Sequence, residues 1–147
     1  MLKGIDPLLT PDLLWLLASM GHGDDVALVD ANHPAERVAR ATASGRLVRM
    51  PGVALPRVAQ AILSVMPLDA GDDAVRRMAA SGHPDEWTDV QREVQVAVDR
   101  ARGRSIAMPG IERFAFYDKA KAGFAVVQAG DHRPYGCFLL RCGVVRP

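Results

Sequence analysis

Long apolar runs, blocks of like charge and paired cysteines are all missing from this 147-residue sequence. No stretch approaches the ~18 apolar residues of a membrane-spanning helix, and the N-terminus lacks the basic-then-apolar order of a signal peptide. A cytoplasmic protein with no membrane partner is expected. Eighteen basic against seventeen acidic residues leave a formal charge of +1. With no long run of either sign, nucleic acid is not an expected partner either. Cys137 and Cys142 stand five apart in what reads as a strand, so they point to opposite faces and cannot bond to each other. Free thiols suit a reducing compartment.

The usual signatures of cofactor chemistry are absent too. No Gly-x-Gly-x-x-Gly follows a strand and there is no P-loop, which argues against a nucleotide cofactor. No Gly-x-Ser-x-Gly elbow occurs. The cysteines lack metal-ligand spacing, and His22, His33, His83 and His132 never form the i, i+4 helical pair of a zincin. A metal held by His22, His33 and Asp30 stays geometrically open. Otherwise the chemistry left is cofactor-free proton transfer or plain ligand binding.

What is present is an ordinary globular composition, 49% apolar and 24% charged, in a length that suits one domain over residues 1–147. Thr10-Pro11-Asp12 reads as a helix start. Its stripe of Leu13, Leu14, Leu17 and Met20 ends on Gly21, which can take a left-handed stop. Val26 to Val29 is continuously apolar, as in a strand covered on both sides. A turn at Asn32-His33-Pro34 precedes a short helix over 35–41, and 47–50 reads as a brief strand. A helix starts at Leu55 and stops before Pro67. Residues 74–80 read as a strand, although Arg76-Arg77 weakens the pattern. Asp85-Glu86 opens a mostly polar, surface-lying helix to about Ala101, and 111–122 forms another. Strands at 124–127 and 137–141 complete the chain. This alternation predicts an α/β fold, a mainly parallel sheet flanked by helices in three layers.

Polar groups gather at the element ends: His22, Asp30, Asp69, the pair Arg113 and Tyr117, and Tyr135-Gly136-Cys137. In open α/β sheets ligands sit beyond the carboxyl ends of strands, where Asp30 must lie. Arg113 and Tyr117, four apart, share a helix face. Each residue also has a plain structural reading. His22 suits a solvated loop after a helix, Asp30 a helix N-cap and Asp69 a turn. Arg113 suits a solvated helix face, and the tyrosines suit core aromatics with exposed hydroxyls.

Taken together, Met1-Leu2-Lys3-Gly4-Ile5, Met20-Gly21-His22-Gly23-Asp24, Pro67-Leu68-Asp69, Glu112-Arg113-Phe114-Ala115-Phe116-Tyr117 and Tyr135-Gly136 resemble, in order and from end to end, the fucose mutarotase branch of the RbsD/FucU family. The resemblance implies an enzyme that interconverts the α and β anomers of a free monosaccharide without cofactor or metal. It implies a ring-like homo-oligomer, typically a decamer, with sites near subunit contacts. By motif, His22 matches the catalytic histidine, with Tyr117 as a second proton-transfer group. Asp30, Asp69, Arg113, Tyr135, Gly136 and Cys137 match the sugar-binding positions.

Three departures from the family pattern stand out. The usual Tyr-Gly-Asn is Tyr135-Gly136-Cys137, which exchanges an amide for a weak thiol donor on what reads as the Tyr135 face of a strand. Asn32-His33-Pro34 replaces the commoner aromatic-then-proline. Arg49-Met50-Pro51-Gly52 stands where an acidic residue precedes glycine. Two other readings stay open, a pyranase-type isomerase acting on ribose or another aldose, and a sugar-binding protein without catalysis.

Overall fold

A computed structural model of the protein describes residues 2–146; Met1 of the N-terminal motif lies outside the described residues. The order of elements is α1 (Pro11–Ser19), β1 (Asp25–Val29), α2 (Ala35–Ala41), β2 (Leu47–Met50), α3 (Leu55–Leu63), β3 (Val75–Met78), α4 (Asp89–Arg102), β4 (Gly110–Ile111), α5 (Arg113–Lys121), β5 (Ala125–Ala129) and β6 (Phe138–Arg141). The six strands form one sheet in the order β2-β5-β1-β6-β3-β4. Three neighbouring pairs are parallel, and β6 alone runs antiparallel to both of its neighbours, β1 and β3. The sheet is therefore mainly parallel, as the alternation of elements predicts.

Helices cover both faces. Leu13 and Leu16 of α1, Val58 and Ile62 of α3, and Val94 and Val98 of α4 join Val26, Leu28, Phe138 and Leu140 in one core. Val38 of α2 and Phe116 of α5 join Ala27, Val29, Val126, Cys137 and Leu139 in the other. Burying each large side chain contributes about 1.5–3 kcal/mol. Cys137 and Cys142 fall in opposite cores, buried and unbonded, as their spacing requires.

Local departures from the expected elements have identifiable causes. α1 ends because Met20 turns extended (ψ 145°); the left-handed residue of that loop is Gly23 (φ 89°), not Gly21. α4 starts four residues later than Asp85, where the Gln91 side chain reaches back to accept from the Thr88 amide at 3.3 Å. It is amphipathic rather than superficial, with Val90, Val94, Ala97 and Val98 buried. Ile111 leaves the expected helix to form β4 with Gly110, and Glu112 caps α5 by accepting from the Phe114 and Ala115 amides. Arg76 and Arg77 both sit inside β3. Arg76 is neutralised by Asp25 at 2.6 Å, and Arg77 lies over the Trp87 ring.

Candidate functional site

β1 leaves the sheet at Asp30 between two neighbours that shape its surroundings. Asp30 is not a helix N-cap; α2 begins behind Pro34, and Asp30 instead closes a turn by accepting from the Asn32 amide at 2.9 Å. Its second oxygen accepts from the Gly136 amide at 3.1 Å and from the Cys137 thiol at 3.6 Å. Because β6 runs antiparallel to β1, the start of β6 lies at the same sheet end as the finish of β1. Gly136 packs closely between them: a Cβ there would stand 2.4 Å from Leu55 Cδ1, and the Leu55 side chain would have to shift to admit it.

Tyr135 does not share a strand face with Cys137. It precedes β6 in a left-handed conformation (φ 60°), rare for a bulky residue. The fully buried Gln91 holds it there, its Nε2 donating to the carbonyls of both Tyr135 (3.0 Å) and Met78 (2.8 Å). Farther round the turn, Asp131 accepts from the Leu55 amide and from Arg133, which also grips Glu93 through two bonds. The adjacent guanidinium holds the Asp131 carboxyl down to about 2.

These elements enclose a cavity of about 230 Å³ lined by Asp30, Asn32, His33, Met78, Arg113, Tyr117, Pro134, Tyr135 and Cys137. Arg113 Nε donates to Tyr117 Oη at 3.4 Å, as their four-residue spacing allows. That bond, above all, raises the Arg113 guanidinium further, and a bond to Ser81 lowers the Tyr135 phenol. Burial raises the Asp30 carboxyl, and it raises the Cys137 thiol strongly, so the thiol stays neutral. The cavity thus presents a carboxylate, a fixed cation and two phenols within the reach of one small polyhydroxylated molecule.

His33 is the lining residue that sequence reasoning placed only in a turn or on a metal. Its imidazole is 6% exposed, packs 5.2 Å from the Tyr117 ring and 6.1 Å from Phe116, and sets Nδ1 3.5 Å from Cys137 Sγ. Burial lowers it to about 4. A histidine after an Asn within a Pro-terminated turn was the available signal, but nothing local says that the ring points inward.

His22 and Asp69 are not among these residues. They meet each other instead, His22 Nε2 lying 3.2 Å from Asp69 Oδ1, on the loops before β1 and β3. The contact lowers the Asp69 carboxyl. Arg102 secures the Asp69 loop by donating to the Asp69 carbonyl at 2.7 Å. His22 precedes β1 and Asp30 follows it, so the strand's five residues, about 17 Å of chain, separate the two clusters. A metal shared by His22, His33 and Asp30 is therefore geometrically closed within one copy. Among the described residues no group of three or more His, Cys, Asp or Glu side chains is placed to hold a metal ion.

The site is thus a small cavity lined by polar and aromatic side chains at the carboxyl end of a central strand of an α/β sheet. The chain belongs to the RbsD / FucU transport protein family, whose model matches residues 3–145. It is 37% identical to a fucose mutarotase of Danio rerio, covering 99% of this chain and 95% of that protein. Among solved structures, protein Atu2016 is 48% identical, with a TM-score of 0.96 over 99% of this chain and 97% of that one. The Streptococcus pneumoniae fucose mutarotase, solved in complex with L-fucose, is 32% identical, with a TM-score of 0.85 over 99% of this chain and all of that one.

Proposed function

We propose that the protein is a mutarotase that interconverts the α and β anomers of a free aldose, L-fucose or a close relative, in the cytoplasm and as a ring-like homo-oligomer. The observation that carries this reading is the convergence of Asp30, Arg113, Tyr117 and Tyr135 on one sugar-sized cavity in a chain of this family. The free thiols accord with a reducing compartment. Mutarotation opens the hemiacetal as one group takes the anomeric hydroxyl proton and another protonates the ring oxygen. The carbonyl face then turns and the ring recloses. Arg113 and Asp30 hold sugar hydroxyls by charge-assisted hydrogen bonds. Tyr117, its oxygen already beside the Arg113 guanidinium, exchanges a proton with the sugar. A positioned acid or base contributes ~10²–10⁴-fold, which suffices for a reaction that also runs unaided in water.

His22, the second proton carrier in this reading, serves the cavity of a neighbouring copy. Its imidazole is 63% exposed, and Asp69 beside it can orient it. Apolar side chains stand uncovered at both ends of the sheet, Phe114 beside Arg113 and Val65, Val144 and Val145 near His22. Head-to-tail contact between unlike ends is the arrangement that closes into a ring. A decamer is the size that the family resemblance implies.

The separation of His22 from the cavity within one copy favours a second reading, a sugar-binding protein without catalysis. Anomer-exchange NMR decides between them. His22→Ala and Asp30→Asn are each expected to lose exchange. Subunits of the two variants, dissociated and reassembled one to one, should regain about a quarter of wild-type activity, because about a quarter of all interfaces in randomly mixed rings carry both native groups. Full activity in His22→Ala, or no recovery on mixing, sinks the shared-site mechanism. Wild-type exchange no faster than buffer with L-fucose, D-ribose and D-galactose alike leaves only the binding protein.

A further inference from the structure

The Asp30 cavity has a neighbour. A second cavity of about 410 Å³, nearly twice as large, lies beside it, and the mutarotase reading leaves it unused. Three features put the two side by side. Arg113 lines both. Met78 lines the first and the next residue, Ala79, lines the second. Tyr135 of the first is bonded to Ser81 of the second. The Arg113 guanidinium commits Nε to Tyr117, and among the described residues its two terminal nitrogens have no hydrogen-bond partner. It can therefore donate to one ligand that spans both cavities.

The lining of the second cavity says what it would hold. Ala79, Ala80, Gly82 and Gly110 contribute little bulk, which leaves the space open. Its charges balance, Arg77 and Arg113 being matched by Asp85 and Glu112. Arg77 is already committed to the Pro84 carbonyl at 2.9 Å and to the Trp87 ring. Glu112 takes both helix amides on Oε2, which leaves Oε1 without a partner among the described residues. With two charges of each sign, the cavity offers a phosphate or carboxylate no net attraction. Interspersed donors and acceptors suit neutral hydroxyls instead, since each gives one hydrogen and accepts at two lone pairs.

We propose that the second cavity is a glycosyl subsite, so that the protein also acts on reducing disaccharides. The free aldose end sits at Asp30, and the neighbouring sugar ring sits against Ser81, Asp85 and Glu112. The inference rests on the mutarotase reading. Size agrees with it, because a space that holds one ring at Asp30 adjoins one with room for another. Ring opening needs a free anomeric hydroxyl, so the glycosidic bond must join the reducing ring through one of its other oxygens. That bond stays intact; only the terminal hemiacetal opens and recloses.

The test uses the full-length protein and anomer-exchange NMR with L-fucose and with L-fucose carrying a neutral hexosyl unit at O2, O3 or O4. In the wild type at least one of the three glycosides should exchange within about tenfold of L-fucose. Ala80→Trp sets an indole in the second cavity, so that glycoside should slow at least ~30-fold while L-fucose stays within about twofold. Asp85→Ala, at an exposed position, removes one acceptor and should raise KM roughly 3–10-fold for the glycoside alone. It decides the matter should the tryptophan variant not fold. Fast wild-type exchange of L-fucose with no glycoside above buffer overturns the proposal and leaves the mutarotase reading intact. So do glycoside rates that neither substitution changes, or equal losses for L-fucose and the glycoside in a folded variant. No exchange above buffer with any sugar in the wild type overturns the mutarotase reading itself and this proposal with it.

Discussion

Replacing His33 with phenylalanine should change how stability depends on pH, and the size of the change follows from the burial of the ring. Burial moves the imidazole from 6.5 to about 4. The unfolded chain binds a proton at 6.5 and the folded chain does not until about 4, so the unfolded state holds more protons throughout that window. The contribution of neutral His33 is whole above pH 6.5 and is lost as pH falls toward 4. A shift of this size is worth roughly 3 kcal/mol at 1.36 kcal/mol per unit. The phenyl ring of the His33→Phe variant keeps the edge contact with Phe116 and the tilted contact with Tyr117 but cannot titrate. Other perturbed groups, such as Asp131 and Asp69, are common to both proteins and cancel in the difference. Urea unfolding followed by tryptophan fluorescence, at matched protein concentration and at pH 7, 6, 5 and 4, measures that difference. Wild type should lose roughly 3 kcal/mol more than the variant between pH 7 and 4, equivalent to roughly 6–12 °C in Tm for a chain of this length. Parallel curves, within ~0.5 kcal/mol across the range, would mean that the folded protein protonates His33 as readily as the unfolded chain does, and would refute the effect of its burial.

Other substitutions probe the scaffold and the cavity separately. Gln91→Leu strands the carbonyls of Tyr135 and Met78, at about 1–3 kcal/mol each, and should lower the urea midpoint accordingly. Gly136→Ala drives a methyl group into Leu55 and Asp30, so thermal unfolding should report a loss of about 1–3 kcal/mol and sugar titration a weaker complex. Arg113→Lys, at an exposed position, should leave the circular dichroism spectrum unchanged while raising KM roughly 10–100-fold, because an ammonium cannot reproduce the planar fork.

Periodicity and capping made most of the fold legible. The continuous apolar run of β1, the Thr10-Pro11 start of α1 and the Arg113/Tyr117 spacing all correspond to structure, since each depends on residues close in sequence. What escaped depends on partners far away. The burial of Arg76 follows from Asp25, and that of Arg77 is accompanied by Trp87, contacts no local pattern announces. The left-handed Tyr135 exists because Gln91 reaches it from α4, forty-four residues back. Of the candidate site, Asp30, Arg113, Tyr117, Tyr135 and Cys137 converge, with Gly136 bonded to Asp30 just behind them. Placing His22 and Asp69 with them fails for a geometric reason. Position along the chain does not reveal which end of a strand a loop occupies relative to a cavity, and His22 enters β1 where Asp30 leaves it.

The inverted β6 also governs when a cavity can exist. It lies between β1 and β3 at the centre of the sheet, yet it is made of residues 138–141. The Asp30 carboxylate waits for the Gly136 amide, 106 positions away. During synthesis the N-terminal strand emerges with its central neighbour still unmade, its backbone donors and acceptors open to any passing strand edge. Ligand binding and completion of the sheet therefore arrive in one late event, and a ribosome stalled before codon 136 would carry a chain with neither.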